Sequence, residues 1–89
     1  MEIQLISGVF SIGEAEELLT AIVNTKIQFH QNKIRTIHET EEDIEHSEKR
    51  IIQLQDTLRN ALRIMKESGK THTTLNAHIE VNTAMRLTQ

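Results

Sequence analysis

One stretch decides the fold, Ser11–Gly69, which reads SIGEAEELLTAIVNTKIQFHQNKIRTIHETEEDIEHSEKRIIQLQDTLRNALRIMKESG. Between Gly13 and Gly69 it contains no glycine, and the chain of 89 residues contains no proline. Apolar residues recur at spacings of three and four with charged and amide side chains between them, which is the pattern of an amphipathic helix. The question is whether the stretch forms one rod or two helices folded back on each other.

A single long coiled-coil helix is one interpretation. Apolar residues lie at intervals of seven, the repeat of a coiled-coil seam, at Ile37, Ile44, Ile51, Leu58 and Met65. The companion line of such a seam would contain Glu41, Glu48 and Gln55. These polar residues weaken the case for a continuous rod.

An antiparallel hairpin of two helices is the preferred interpretation. Thr40 resembles a helix-capping residue, and the acids at 41–43 would lie in a first helical turn. A turn at residues 39–40 leaves halves of nearly equal length, roughly 40 Å each at about 1.5 Å per residue. We therefore predict helices over 12–38 and 41–67.

Short strands are predicted on both sides of the hairpin. Residues 2–7 are apolar and partly β-branched, and Gly8 follows them. Residues 75–81 alternate apolar and polar side chains, which indicates a half-buried strand. Residues 83–89 are expected to be a frayed tail. The fold class is thus mainly α, a single domain over 1–89 with the order β-α-α-β.

The first helix begins with a capping box and has a wide apolar arc. Ser11-Ile12-Gly13-Glu14 fits S-x-x-E, in which the serine hydroxyl and the glutamate each bond the other residue's backbone N–H. The apolar residues of this helix cover roughly half of its helical wheel, which suggests contact with more than one neighbour. Because a short chain buries a thin core, we expect the hairpin to dimerise into a four-helix bundle.

Three polar residues, Lys26, His30 and Lys33, interrupt that arc. A turn at residues 39–40 would place His30 and Lys33 near Glu48, and Lys26 within a helical turn of Gln55. We interpret these five residues as a polar layer that fixes the register of the helices at some cost in stability. The alternatives are an open groove in which the lysines bind a partner, and an anion or substrate site.

The composition narrows the possible chemistry. The chain has no cysteine, so disulfides and thiolate metal sites are excluded. Asp43 and His46 have a spacing compatible with metal binding, but the helical wheel places His46 and Glu42 on the polar side. No nucleophile elbow, P-loop or paired acid–base motif is present. We expect no enzymatic activity, no cofactor and no metal.

Charge and hydropathy bear on the partners and the location. The net charge of −3 argues against a general nucleic-acid binder. The basic residues in and after the second helix nevertheless keep nucleic-acid binding as the alternative function; they are Lys49, Arg50, Arg59, Arg63, Lys66 and Lys70. The chain has neither a signal-peptide pattern nor an apolar run of about 18 residues. We expect a cytoplasmic protein with no membrane segment.

Three stretches in this order resemble small uncharacterised bacterial proteins of similar length. They are Ile3–Gly8, Phe29–Ile34, and Glu41–Ile44 followed by Glu48–Ile51. The resemblance implies a helical pair flanked by short strands and carries no established activity. Together with the residue patterns it leads us to expect a small non-enzymatic structural or interaction module, a homodimer that could also present a face to a protein partner.

Overall fold

The computed structural model describes residues 1–36 and 41–83, without the side chains of residues 35, 36, 41 and 42. Its elements follow in the order β1 (Glu2–Ser11), α1 (Ile12–Thr36), α2 (Glu41–Glu67) and β2 (His72–Glu80). The predicted β-α-α-β order is confirmed. The turn predicted at residues 39–40, the end of the first helix predicted at 38, and nearly all of the tail predicted over 83–89 lie outside the described residues.

The helices fold back on each other. The ammonium of Lys66, in the last turn of α2, lies 3.8 Å from the carboxylate of Glu16 in the second turn of α1. The strands that precede α1 and follow α2 pair antiparallel in a two-stranded sheet. A single long coiled-coil helix would hold these segments far apart, so that alternative is wrong.

The predicted capping box starts α1. The Ser11 backbone N–H donates to Glu14 Oε1 at 2.9 Å, and the Glu14 N–H donates to Ser11 Oγ at 3.2 Å. The next N–H, that of Ile12, donates to the carbonyl of Thr71 at 3.1 Å. Three backbone groups at the start of the helix are therefore satisfied, and the start of α1 is tied to the residue before β2.

A glycine cap ends α2. Gly69 has φ of 71°, in the left-handed region that glycine adopts without steric cost. The Ser68 hydroxyl donates to the carbonyl of Met65 at 2.7 Å and accepts from the Lys70 N–H at 3.1 Å. The chain thus leaves α2 in a fixed direction toward β2.

Both strands begin or end beyond their predicted bounds. Gly8 was expected to end the first strand, yet β1 continues to Ser11. Gly8 has φ of 152°, so the strand passes through a conformation that glycine tolerates and other residues rarely adopt. The extra residues of β1 pair with Thr74, Thr73 and His72, and β2 therefore begins at His72 rather than at residue 75.

A β-bulge at Leu5 determines which residues of β1 share a face. The register shifts between Gln4 and Ile6, so that Ile3 pairs with Ile79 and Ile6 pairs with Ala77. Because Ala77 and Ile79 lie on one face of β2, the bulge brings Ile3 and Ile6 onto that same face. Without the extra residue the two isoleucines would lie on opposite faces.

The amide of Gln4 satisfies polar groups at the bulge. Its Nε2 donates to the carbonyl of Ile6 at 2.8 Å and to Asn76 Oδ1 at 2.7 Å, and the carbonyl of Ala77 lies 3.4 Å away. One side chain therefore links both sides of the bulge to the neighbouring strand.

The core is thin. Among the described residues the buried apolar side chains are Ala15 and Ile27, and the buried polar ones are His30 and Ser47. The Cα atoms span 46 × 30 × 15 Å, so the molecule is about one or two layers of secondary structure deep. The sheet also contacts the helices much less than the helices contact each other.

Candidate functional site

His30, near the C-terminal end of α1, is the largest fully buried side chain among the described residues. Its side chain is 1% exposed, at a position that the sequence places within the apolar arc of α1. Neither of its ring nitrogens has a hydrogen-bond partner among the described residues. The Phe29 ring packs against it edge to face, with ring centroids 5.4 Å apart and planes at 88°. An imidazole in such surroundings is much better accommodated neutral than charged.

Positive groups surround the buried imidazole. Burial first, and then the charges of Lys26, Arg50, Lys33 and His46, lower the pKa of His30 from its ordinary value of 6.5. Arg50 and His46 belong to α2, so charges from both helices act on the same ring. At neutral pH His30 is therefore an uncharged packing residue, and its burial removes it from contact with a substrate in solution.

Lys26 and Lys33 are half-buried and lie on the same side of α1 as His30. The Lys26 ammonium sits 4.9 Å from the centroid of the Phe29 ring, a cation–π arrangement. Lys26 thus packs against an aromatic side chain that is itself partly exposed. This contact explains how a lysine fits within the apolar arc of α1.

The other two residues predicted for the polar layer, Glu48 and Gln55, are both exposed. Glu48 is exposed and is not among the charges that act on His30. Gln55 lines a groove of about 600 Å³ between the helices. The remaining lining residues are Asn24, Ile27, Gln28, Gln31, Leu58, Arg59 and Leu62. The structure therefore brings Lys26, His30 and Lys33 together on α1, and Gln55 lies in a groove with the amides of Asn24, Gln28 and Gln31.

Ser47 is the buried residue that the sequence analysis missed. It is 2% exposed and lies in the second turn of α2. Its position could have been inferred, because Ser47, Leu54, Leu58 and Met65 recur at spacings that place them on one side of a helix. A small side chain at this point lets the backbones of α1 and α2 approach closely.

The basic residues of α2 are largely paired with acids. Lys49 lies 3.3 Å from Glu45, Arg59 lies 3.1 Å from Asp56, and Arg63 lies 3.1 Å from Glu67. With the pair between Lys66 and Glu16, these contacts alternate charge along the helix surface. A nucleic-acid site requires an uncompensated basic surface, so this arrangement does not favour the alternative function, which remains a prediction.

The geometry offers no metal centre in the parts of the chain that the structure describes, where no three His, Asp or Glu side chains converge. Asp43 and His46 are described, but the side chain of Glu42 lies outside the described residues. Nor does any described helix carry the apolar run that crossing a bilayer requires.

Comparisons of the chain with protein-family models, curated proteins and solved structures found no match.

Proposed function

We propose that the protein is a small non-enzymatic interaction module that associates with a second copy of itself to form a four-helix dimer. The observation that supports this most is the set of large apolar side chains that the helices leave exposed. Ile22 and Phe29 of α1 and Ile52 and Ile64 of α2 are each at least 40% exposed. Apolar side chains left uncovered on a helix surface are typical of an interaction site.

The apolar side of α1 is the surface that a second copy would cover. Leu18, Ile22 and Phe29 are separated by four and seven residues, so they form one stripe along the helix. Ile22 is 40% exposed and Phe29 is 44% exposed, while Ala15 and Ile27 of the same helix are buried. We call these three residues the α1 stripe. The α1 stripe is the part of the apolar arc of α1 that α2 does not cover.

A stripe of this kind favours a helix of a second copy because the helices of this chain are long and amphipathic. Both have lengths typical of four-helix bundles, 25 residues in α1 and 27 in α2. Burying Ile22 and Phe29 fully would contribute roughly 1 kcal/mol or more each, depending on how much of their apolar area leaves water. Two symmetric copies of the stripe would double that contribution.

A pair of charge substitutions tests the proposal. Phe29→Asp places a carboxylate in the stripe, and we expect it to weaken association at least tenfold in sedimentation equilibrium. Gln28→Asp adds the same charge one residue away, on the groove side of α1, and should leave the association constant within about twofold. Equal effects of the two variants would contradict the role of the stripe, and a native chain that stays monomeric would contradict self-association itself.

A further inference from the structure

We propose that the outer edge of β2 pairs antiparallel with β2 of a second copy, around a two-fold axis at Asn76, to form a four-stranded sheet. The inference rests on the self-association proposed above and assigns it a specific contact. It follows from an asymmetry between the two edges of the sheet.

The edge of β1 is irregular. It carries the bulge at Leu5 and a positive φ at Gly8. Bulges and local twist are devices by which sheet edges resist pairing with another strand. The edge of β2 has neither device: among the described residues its nine positions contain no positive φ, and the chain has no proline. Of the two edges, β2 is therefore the one able to accept another strand.

The pattern of backbone hydrogen bonds shows which groups of β2 point away from β1. Val81 exchanges two hydrogen bonds with Met1, at 2.6 and 3.1 Å, and the carbonyl of Thr71 accepts from Ile12. Thr71 and Val81 therefore direct their backbone groups toward β1. In an antiparallel ladder, residues that bond the neighbouring strand alternate with residues whose N–H and C=O point to the other side. The outward set of β2 is then His72, Thr74, Asn76, His78 and Glu80.

Length and charge select the register. Asn76 is the midpoint of β2, so a two-fold axis there pairs the whole strand with its symmetry mate. His72 then lies opposite Glu80 of the second copy at both ends of the contact, a favourable pairing when the imidazole is protonated. Moving the axis to Leu75 would place His72 opposite His78 and leave the end of the strand unpaired.

The same register matches the apolar face. Leu75 lies opposite Ala77 of the second copy, and Thr73 lies opposite Ile79, so large side chains face smaller ones. Ile79 is 46% exposed in the single chain. Two strands alone are marginally stable, and three or more are needed for a sheet that supports itself. Pairing through β2 satisfies both the backbone groups and the apolar side chains of this edge.

Disulfide trapping tests the contact, because the chain contains no cysteine. In the proposed register the two copies of residue 76 form a hydrogen-bonded pair with Cα atoms about 5.5 Å apart, within reach of a disulfide. We expect Asn76→Cys to give mostly covalent dimer under mild oxidation on non-reducing gels. Thr74→Cys is the register control, because its two copies would lie about 13 Å apart, and Ser7→Cys is the control for the edge of β1.

The outcomes distinguish failure of the proposed β2 contact from failure of self-association. Efficient cross-linking at residue 76 alone supports the proposal. A native chain that is dimeric in sedimentation, together with no cross-linking at 76, would overturn the β2 contact and leave self-association standing. Efficient cross-linking at 74 or at 7 would overturn the proposed register or edge. A monomeric native chain would overturn both proposals.

Proline substitutions supply a second measurement. Thr74→Pro removes an outward N–H of β2 without removing a bond to β1, which an edge strand tolerates. We expect at least tenfold weaker dimerisation with the circular dichroism of the folded chain retained. Ser7→Pro removes the corresponding group from the edge of β1 and should leave dimerisation unchanged. The reverse order of effects would assign the contact to β1.

Discussion

Lys66 and Glu16 lie side by side, with the ammonium 3.8 Å from the carboxylate. They are 50 residues apart in the sequence, and in one continuous helix they would be about 75 Å apart at 1.5 Å per residue. Their contact therefore distinguishes the hairpin from the rod. An exposed pair of this kind contributes at most about 1 kcal/mol, so it reports the architecture, while the packing between α1 and α2 maintains it.

The two glycines at the ends of the helices should respond oppositely to alanine. Gly69→Ala forces a β-carbon into φ of 71° and is expected to lower the free energy of unfolding by about 1 kcal/mol. Gly13→Ala should raise it by roughly 0.5–1 kcal/mol, because Gly13 lies in α1 and an added β-carbon there meets nothing within 4 Å. Urea denaturation measures both variants, and a stabilising Gly69→Ala would contradict the left-handed cap.

The capping box should contribute to stability in a pH-dependent way. The backbone N–H and the hydroxyl of Ser11 lower the pKa of Glu14 from its ordinary value of 4.5. Because the folded state holds the proton less tightly, this contribution is present above the unfolded pKa and is lost as the pH falls through the folded pKa. Glu14→Gln should therefore show a flatter loss of stability below pH 4.5 than the native chain.

Replacing the serine of the same box tests it independently. Ser11→Ala removes the acceptor for the Glu14 N–H and should cost about 1 kcal/mol in urea denaturation. Ser7→Ala is the matched control on the exposed part of β1, where an effect within about 0.5 kcal/mol is expected. Equal costs for the two serines would show that the cap does not stabilise α1.

His30 should make the protein less stable in mild acid. The unfolded chain protonates this residue near its ordinary pKa of 6.5, whereas the folded state resists protonation. Stability is then complete above pH 6.5 and falls as the pH drops from there through the lower folded pKa. Denaturation midpoints measured from pH 7.5 to 5 should show this slope.

His30→Leu provides the comparison. It replaces two ring nitrogens that lack partners among the described residues, so we expect about 1–2 kcal/mol of added stability at neutral pH. It should also flatten the slope below pH 6.5. Gln31→Leu, at the next position on α1, should leave the slope unchanged. A destabilised His30→Leu variant would show that the imidazole makes a contact that the core requires.

The hydrogen bond between the side chains of Gln4 and Asn76 should contribute to the stability of the sheet at the Leu5 bulge. Gln4 Nε2 donates to Asn76 Oδ1 at 2.7 Å, and this hydrogen bond is exposed to solvent. Gln4 also donates to the carbonyl of Ile6. In a double-mutant cycle with Gln4→Ala and Asn76→Ala, we expect a coupling energy of about 0.5–1 kcal/mol. Additive effects of the two substitutions would indicate that the amide of Gln4 acts only through the backbone carbonyls of Ile6 and Ala77.

Local signals in the sequence were sufficient for the element order and for the start of α1. The Ser11–Glu14 capping box involves residues three positions apart, and it was predicted from their spacing. Such contacts depend on the local chain and little else. The hairpin followed from the matched lengths of the two helical halves.

The features that depend on pairing between distant residues could not be predicted. Ile3 and Ile6 lie at opposite parities in the sequence, and only the bulge against β2 brings them to one face. Gly8 was interpreted as the residue that ends the first strand. The strand continues through it because residues 8–11 pair with residues 72–75 of β2, which the local sequence does not show. Helical periodicity placed His30 within the apolar arc of α1, but the lack of a hydrogen-bond partner for its ring among the described residues depends on the packing of α2 against it.

The mass of the native chain in solution tests the central claim most directly. Sedimentation equilibrium over a hundredfold range of concentration should give twice the chain mass of 10.2 kDa, with dissociation only at the dilute end. That result would account for the exposed α1 stripe. A mass of 10.2 kDa at every concentration would contradict the claim that this molecule is a self-associating module.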